Sequence, residues 1–370
     1  MDLKFTSIVN QRKEIPKLVE KTNSGKGYVS YGDMDDYPNY LYELYENSSL
    51  FNAIVATMTD YVFGDGFETT ITLPRYINRK FETLNDVVKK ILHSYIIFGG
   101  FAVQAIRNRN GEVCELNVCD FRKIRINEDE DTIYYGDFSA YSRKNKIISY
   151  PRFTPNVTHN NSIFYYKNPN SDGVYPKPSY IGCIKAIELS TQITDFHLNQ
   201  IVSGFAPQAV INLNSGICSP EEMEEIENKF QEKFFGVNGG KLVLSFNNDT
   251  EHQTQIERLS DESYDTKYES LRQHTQDEIL TSFRLNGILL GYNKTNSAFT
   301  SQEFEQAFQL YQKTVIQPIQ QQLEFILELF FNTEFTFKPF TIEWGDVHEN
   351  GNIPTQQEEE NKLINIGDNI

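Results

Sequence analysis

The segment Leu289–Phe331 reads LLGYNKTNSAFTSQEFEQAFQLYQKTVIQPIQQQLEFILELFF. Its first part is polar and rich in Gly and Asn, which marks a loop. In the rest, Phe304, Phe308, Tyr311, Val315, Ile319, Leu323, Ile326 and Phe330 recur at steps of three and four, the period of an amphipathic helix. Pro318 lies inside that series. It lacks the backbone donor and its ring presses on the preceding turn, so a kink is expected between Thr314 and Pro318. A long polar loop feeding directly into a long helix has to be explained by the rest of the chain.

The chain has 370 residues, enough for two or three cores or one elongated body. Hydrophobic residues make up 39% and aromatics 13%, which suffices for a real core and argues against disorder. No apolar run approaches the roughly 20 residues of a membrane span. The start, MDLKFTSIVNQRKEIPKL, has no secretory apolar region, so a cytoplasmic site of synthesis and no membrane partner are expected. Cys114, Cys119, Cys183 and Cys218 form no CxxC pair, and neither a disulfide nor a zinc framework is expected. The formal net charge of -17 argues against ordinary affinity for DNA, which needs clustered Lys and Arg to displace counterions.

Residues 1–36 are mixed and Gly-rich and read as an arm. YPNYLYELYENSSLFNAIVATMTDYVF carries two helical patterns split at Asn47-Ser48-Ser49 and stopped by GDGF, and Asn85–Phe98 is a third helix ending at Gly99-Gly100. The period then changes to two. Strands are expected at 101–106, 113–118, 124–126, 132–135, 147–150 and 162–166, separated by turns such as NRNGE and NEDED. Tyr180–Val202 and Tyr264–Phe283 read as long helices bracketing a small α/β insert. That insert has strands at 209–213, 241–246 and 253–259, and a helix opened by the capping box Ser219-Pro220-Glu221-Glu222. Strands around Phe335–Trp344, free to return to the first sheet, and an acidic tail close the chain.

Chemistry is hard to find. GVNGGKLVL resembles a phosphate loop, but Lys241 is followed by Leu242 and a strand, so it reads as a helix end and a turn. The runs Asp33–Asp36 and Glu128–Asp131 lack calcium-loop spacing. His93, His159, His197, His252, His274 and His348 have no companions at metal-ligand spacing, and no nucleophile elbow or dinucleotide fingerprint occurs. No catalytic residue, metal or cofactor is expected.

Four segments in order carry a resemblance. They are SLFNAIVATMTDYVFGDGF, then IIFGGFAVQAIRNRNGEVCELNVCDFRKIRI. The third is HLNQIVSGFAPQAVINLNSG with PEEMEEIENKFQEKFFGVNGGKLVLSF, and the fourth is LNGILLGYNKTNSAFTSQEFEQAFQLYQKTVIQPIQQQLEFIL. Together they resemble the HK97-like portal proteins of tailed bacteriophages, from about Tyr37 to Trp344. The resemblance implies an α+β fold with an α/β wing (37–178), a first stem helix (179–204), a clip (205–259) and a second stem helix (260–285). A tunnel loop (286–302), a long kinked helix with returning strands (303–345) and an acidic tail (346–370) would follow. The family's helical crown would be short or absent.

The same resemblance implies a non-enzymatic subunit of a ring of about twelve at one capsid vertex. The ring would be assembled in the bacterial cytoplasm and would pass double-stranded DNA without reading its sequence. Its partners would be the major capsid protein, the terminase large subunit and a head-tail adaptor. Transient DNA contact would fall to Asn293, Lys294, Asn296 and Ser297. Docking would fall to the acidic face Glu221, Glu222, Glu224, Glu225 and Glu227, although carboxylates near a helix N-terminus are also favoured by its dipole. Two rival readings stand beside it. One is a head-tail adaptor or minor capsid protein. The other is a metal-dependent nucleic-acid-processing enzyme using Asp33, Asp35 and Asp36.

Overall fold

The computed structural model describes residues 16–22, 27–138, 147–156, 159–202, 209–213, 242–246, 264–291 and 300–342. The chain opens with a hairpin, β1 (Glu20–Thr22) and β2 (Val29–Tyr31), and continues into α1 (Tyr37–Asn47) and α2 (Ser49–Phe63). Ser48 separates the two helices because its extended backbone ends one while its hydroxyl accepts from the Phe51 amide to start the next. α2 ends at Gly64, whose φ is 59° and whose added Cβ would lie 2.1 Å from the Lys338 carbonyl oxygen. Only glycine fits there. β3 (Phe67–Thr69) follows.

α3 (Leu84–Phe98) begins with a capping box between Thr83 and Asp86 and ends at left-handed Gly99. β4 (Gly100–Arg107) then pairs antiparallel with β5 (Val113–Val118) on one side and β9 (Asn161–Lys167) on the other. A second antiparallel sheet contains β6 (Ile124–Ile126), β7 (Thr132–Tyr135) and β8 (Ile148–Pro151). The strand series expected from the sequence is therefore present but divided between two sheets.

A short 3-10 turn, Ile181–Cys183, leads into α4 (Ile184–Val202), which packs against α5 (Tyr264–Ser282). Between them β10 (Ala209–Leu213) pairs parallel with β11 (Leu242–Phe246). Parallel strands need a crossover connection, as an α/β insert provides. The strand expected at 253–259 lies outside the described residues.

The final elements are α6 (Ser301–Tyr311), a π turn at Gln312–Ile316, α7 (Gln317–Phe331) and β12 (Phe335–Phe337). β12 pairs with β3, not with the β5-β4-β9 sheet. The sequence left β3 unread because its three residues begin inside the helix-stopping GDGF, at Phe67.

The reading of residues 1–36 as an arm needs correction from Glu20 onward, where β1 pairs with β2 and the Glu20 carboxylate accepts from the Val174 and Tyr175 amides. Val29, Ser30 and Tyr31 are buried, and the Tyr31 ring stacks on Tyr175 with centroids 4.0 Å apart. Asp35 is buried against Arg125, the largest fully buried side chain. Its Oδ1 accepts from Arg125 Nε at 2.5 Å and from the Tyr31 amide at 2.7 Å, while its carbonyl accepts from Arg125 Nη2 at 2.6 Å. Arg125 Nη1 donates to the Ile124 carbonyl at 2.7 Å. This pair is satisfied by backbone on both sides, which is the condition under which a buried ion pair persists.

Removing one charge leaves the other buried without its partner. Asp35→Asn is expected to lower stability by about 3 kcal/mol in urea unfolding, and an unchanged midpoint would show that the pair is dispensable. Burial also raises many tyrosines, Tyr37 to about 12 and Tyr31, Tyr165 and Tyr180 well above their ordinary value. Above pH 10 the unfolded chain loses these protons before the folded one, so stability is complete below pH 10 and falls as pH rises. The slope is up to about 1.4 kcal/mol per pH unit for each such tyrosine. Tyrosinate absorbance should appear together with unfolding; if it preceded unfolding, the buried hydroxyls would be accessible in the native state.

Candidate functional site

The quoted loop is held by its two ends, and both ends meet the last turn of α2. On the incoming side, α5 terminates with Leu285 donating to the Leu280 carbonyl at 3.0 Å and left-handed Arg284 donating to Thr281 at 3.0 Å. This paired pattern is a Schellman stop. Asn286 then caps a 3-10 turn, Gly287–Leu290, by accepting from the Ile288 amide at 3.1 Å, and left-handed Gly291 ends that turn. The buried Leu289 carbonyl accepts from the Tyr61 hydroxyl at 2.6 Å.

On the outgoing side Thr300 and Glu303 form a capping box that starts α6. The Thr-x-x-Glu pattern was a legible signal for this boundary. Phe308 of α6 meets the Tyr61 ring edge-on at 5.3 Å, and Phe340, itself 5.8 Å from Phe308, meets it edge-on at 4.9 Å. One tyrosine therefore contacts both flanks of the loop. Burial, with Asp60 nearby, raises its pKa, so the hydroxyl keeps its proton and remains a donor.

The long helix departs from the expected register. Phe304, Tyr311, Leu323, Ile326 and Phe330 are buried as the series requires, but between Tyr311 and Leu323 the buried positions are Ile316 and Gln320, not Val315 and Ile319. The Gln317 amide bonds the Gln312 carbonyl, five residues back, which defines the π turn and adds one residue to it. Val315 and Ile319 are consequently only half-buried. Gln320 takes the inward place, and its Nε2 donates to the Val62 carbonyl at 2.8 Å. Val62 lies in the last turn of α2, where carbonyls have no intrahelical partner. Pro318 is exposed, one residue into α7 and directly behind the π turn.

Of the other sequence-derived residues, Asn293, Lys294, Asn296 and Ser297 lie outside the described residues, as do Glu221, Glu222, Glu224, Glu225 and Glu227. Asp33, Asp35 and Asp36 do not converge. Asp33 pairs with exposed Lys21, Asp35 with Arg125, and Asp36 is exposed at the start of α1. In the second acidic run, Glu130 bridges Arg152 and Lys167, and Asp131 accepts from Asn127 and Thr132. No group of three or more His, Cys, Asp or Glu among the described residues could hold a metal.

His197 packs its ring on Tyr268 at 5.6 Å, and His93 packs on Tyr45 at 4.9 Å with its pKa lowered by burial. A cleft of about 500 Å³ between α4, α5 and Ser49-Leu50 includes His197, Glu269 and Arg272, and its Thr194 and Thr275 hydroxyls donate to the Ser190 and Leu271 carbonyls of their own helices. Among the described residues no helix is long and apolar enough to cross a membrane.

The phage portal protein family matches residues 78–350, a span that includes α3, both long helices, the framed loop and the helix behind it. The chain belongs to the phage portal protein family. Its role is accordingly that of a portal subunit at a capsid vertex. The fold is also seen in solved structures. A chain from the virion of a native gene transfer agent particle is 12% identical with a TM-score of 0.54, covering 88% of this chain and 89% of that one. A chain from the neck of the native particle, computed with C12 symmetry, is 14% identical with a TM-score of 0.52, covering 89% of each. No curated protein matches the sequence.

Sequence reasoning missed Tyr61, Asn286 and Gln320 as supports of this portal loop. Tyr61 is one of many aromatic residues within a helical pattern, and Gln320 sits on the polar side of an uninterrupted 3.6-residue pattern. Gln320→Leu keeps the volume and leaves the Val62 carbonyl without its donor, so a loss of about 1–3 kcal/mol is expected. Tyr61→Phe is expected to cost about 1 kcal/mol and to speed hydrogen exchange at the amides of 287–291. Unaltered exchange there would mean that the hydroxyl does not hold the loop base.

Proposed function

We propose that about twelve copies of this portal subunit close into a ring whose axial channel passes double-stranded DNA during packaging and ejection. The observation that carries this reading is the frame around residues 292–299: a polar segment whose two ends are fixed to one buried helix. Water and a moving polyanion are compatible neighbours for such a loop, whereas a packed protein interface is not. The C12 symmetry of the similar neck structure supports the copy number.

In this reading residues 37–178 form the wing, α4 and α5 the stem, 205–259 the clip, and 286–302 the tunnel loop buttressed by the helix of 303–331. Lys294 is the only formal charge in 286–302, and with Asn293, Asn296 and Ser297 it makes passing contact with phosphate. A net charge of -17 on every copy disfavours tight binding, so the duplex slides. The clip face Glu221, Glu222, Glu224, Glu225 and Glu227 receives basic surfaces, first of the terminase large subunit and later of a head-tail adaptor. The wing meets the major capsid protein. The subunit itself supplies no ATP hydrolysis, assembles in the bacterial cytoplasm and remains in the virion.

Native mass spectrometry of the purified protein is expected to give rings of about twelve subunits, with an axial hole in negative stain. Compact dimers with metal-dependent nuclease activity would overturn the reading. In packaging extracts Lys294→Ala is expected to alter DNA retention while leaving ring formation intact; a ring that fails to form would place Lys294 at a subunit contact instead.

A further inference from the structure

The wing-side segment Arg75–Phe81 is built as a rigid knob. Asn78 is buried beneath it, and its Oδ1 accepts from the amides of Lys80 at 2.9 Å and Glu82 at 3.2 Å. Its Nδ2 donates to Glu82 Oε2 at 2.8 Å and to the Leu116 carbonyl at 3.1 Å. Two backbone bonds, Ile77 to Glu82 at 2.8 Å and Phe81 to Asn78 at 3.2 Å, close the turn. At its tip Phe81 has a left-handed backbone, φ 61°, and a ring 75% exposed. Tyr76 stands edge-on to it at 5.6 Å, with the Arg75 guanidinium 5.3 Å from the Tyr76 ring centre.

An exposed aromatic alone is ordinary. A bulky side chain in the left-handed region is not, and Asn or Gly would suit that position better. Here both penalties fall on the same residue, whose ring meets Tyr76 edge-on within the subunit and is otherwise largely exposed. Such strain persists where the surroundings enforce it, and it is found at binding sites.

The knob's charge indicates what it meets. Arg75, Arg79 and Lys80 are exposed, the Arg79 side chain by 89% with only a 3.4 Å ion pair to Glu115. Glu82 is turned inward to Asn78 and Lys90. A tip of Phe, Tyr and Arg has the composition of interface hot spots. The chain as a whole carries 51 acidic residues against 34 basic ones, so a second copy is by net charge a complementary partner for a basic knob. Intact duplex DNA is the poorer partner, because it accepts an apolar wedge only by unstacking.

We infer that the Arg75–Phe81 knob docks on an acidic face of a second copy of this chain. A knob on one face meeting a different face of its neighbour is a heterologous contact, the kind that closes rings. The inference rests on the ring proposed above.

Phe81→Asn tests it, since Asn tolerates the left-handed backbone and removes only the ring. The variant should melt as a monomer no earlier than the parent, while each subunit contact weakens by about thirty-fold and rings disappear from native mass spectra at dilute concentration. Independently, benzoylphenylalanine in place of Phe81 should photo-crosslink assembled rings subunit to subunit, at a carboxylate-rich segment. Rings that persist in Phe81→Asn, or crosslinks formed only to DNA or another protein, would overturn the knob assignment and leave the portal reading standing. A parent protein that forms no ring would overturn both.

Discussion

The structure depends on α2 being held at both ends. At its start Phe51 is fully buried and meets Tyr180 at 4.7 Å and Phe283 at 5.6 Å, the residues that flank the two long helices α4 and α5. Tyr180 also donates to the Ile97 carbonyl at 2.6 Å, which ties this cluster to the end of α3. At its far end Tyr61 and Val62 receive the loop base and the long helix. Ten residues of helix separate the two anchor points, about 15 Å at 1.5 Å per residue. A displacement of the paired helices therefore has a rigid route to the loop, through side chains that pack to core density.

The π turn makes the second anchor possible. A continuous α-helix would present Val315 and Ile319 to α2, and the Val62 carbonyl would face hydrocarbon. The additional residue rotates the following helix so that an amide side chain arrives there instead. The Thr314 hydroxyl donates to the Leu310 carbonyl at 2.8 Å where the ladder changes period, and Pro318, which has no amide hydrogen to offer, follows directly. π turns are uncommon and concentrate at functional sites. This one sits between the loop framed by α2 and the strand β12 that fixes the helix to β3.

Much of the fold could be read in advance because the chain marks its boundaries chemically. Ser48, Thr83 and Gly99 stop or start helices through caps and left-handed turns, and those boundaries lie within a residue of the pattern read from the sequence. What could not be read depends on distant partners. Asp35 looks like one member of a solvated acidic run until Arg125 is placed beside it. β3 is too short to show a period and is defined by β12 at the other end of the chain. Gln320 was hidden by the very periodicity that identified its helix, since a single inserted residue leaves no mark on composition. The loop itself was legible as a loop, whereas its support by Tyr61 was not, because a hydroxyl aimed at a backbone carbonyl has no sequence signature.

The central claim is that the segment 292–299, framed by α2, lines the axial channel of the assembled ring. Its most direct test is the radial position of that segment in an electron cryo-microscopy reconstruction of the purified assembly. The account predicts that residues 292–299 of each copy form the narrowest part of the axial hole, with Tyr61 and Gln320 directly behind them. A ring in which this segment points outward, or in which another element forms the constriction, would contradict it.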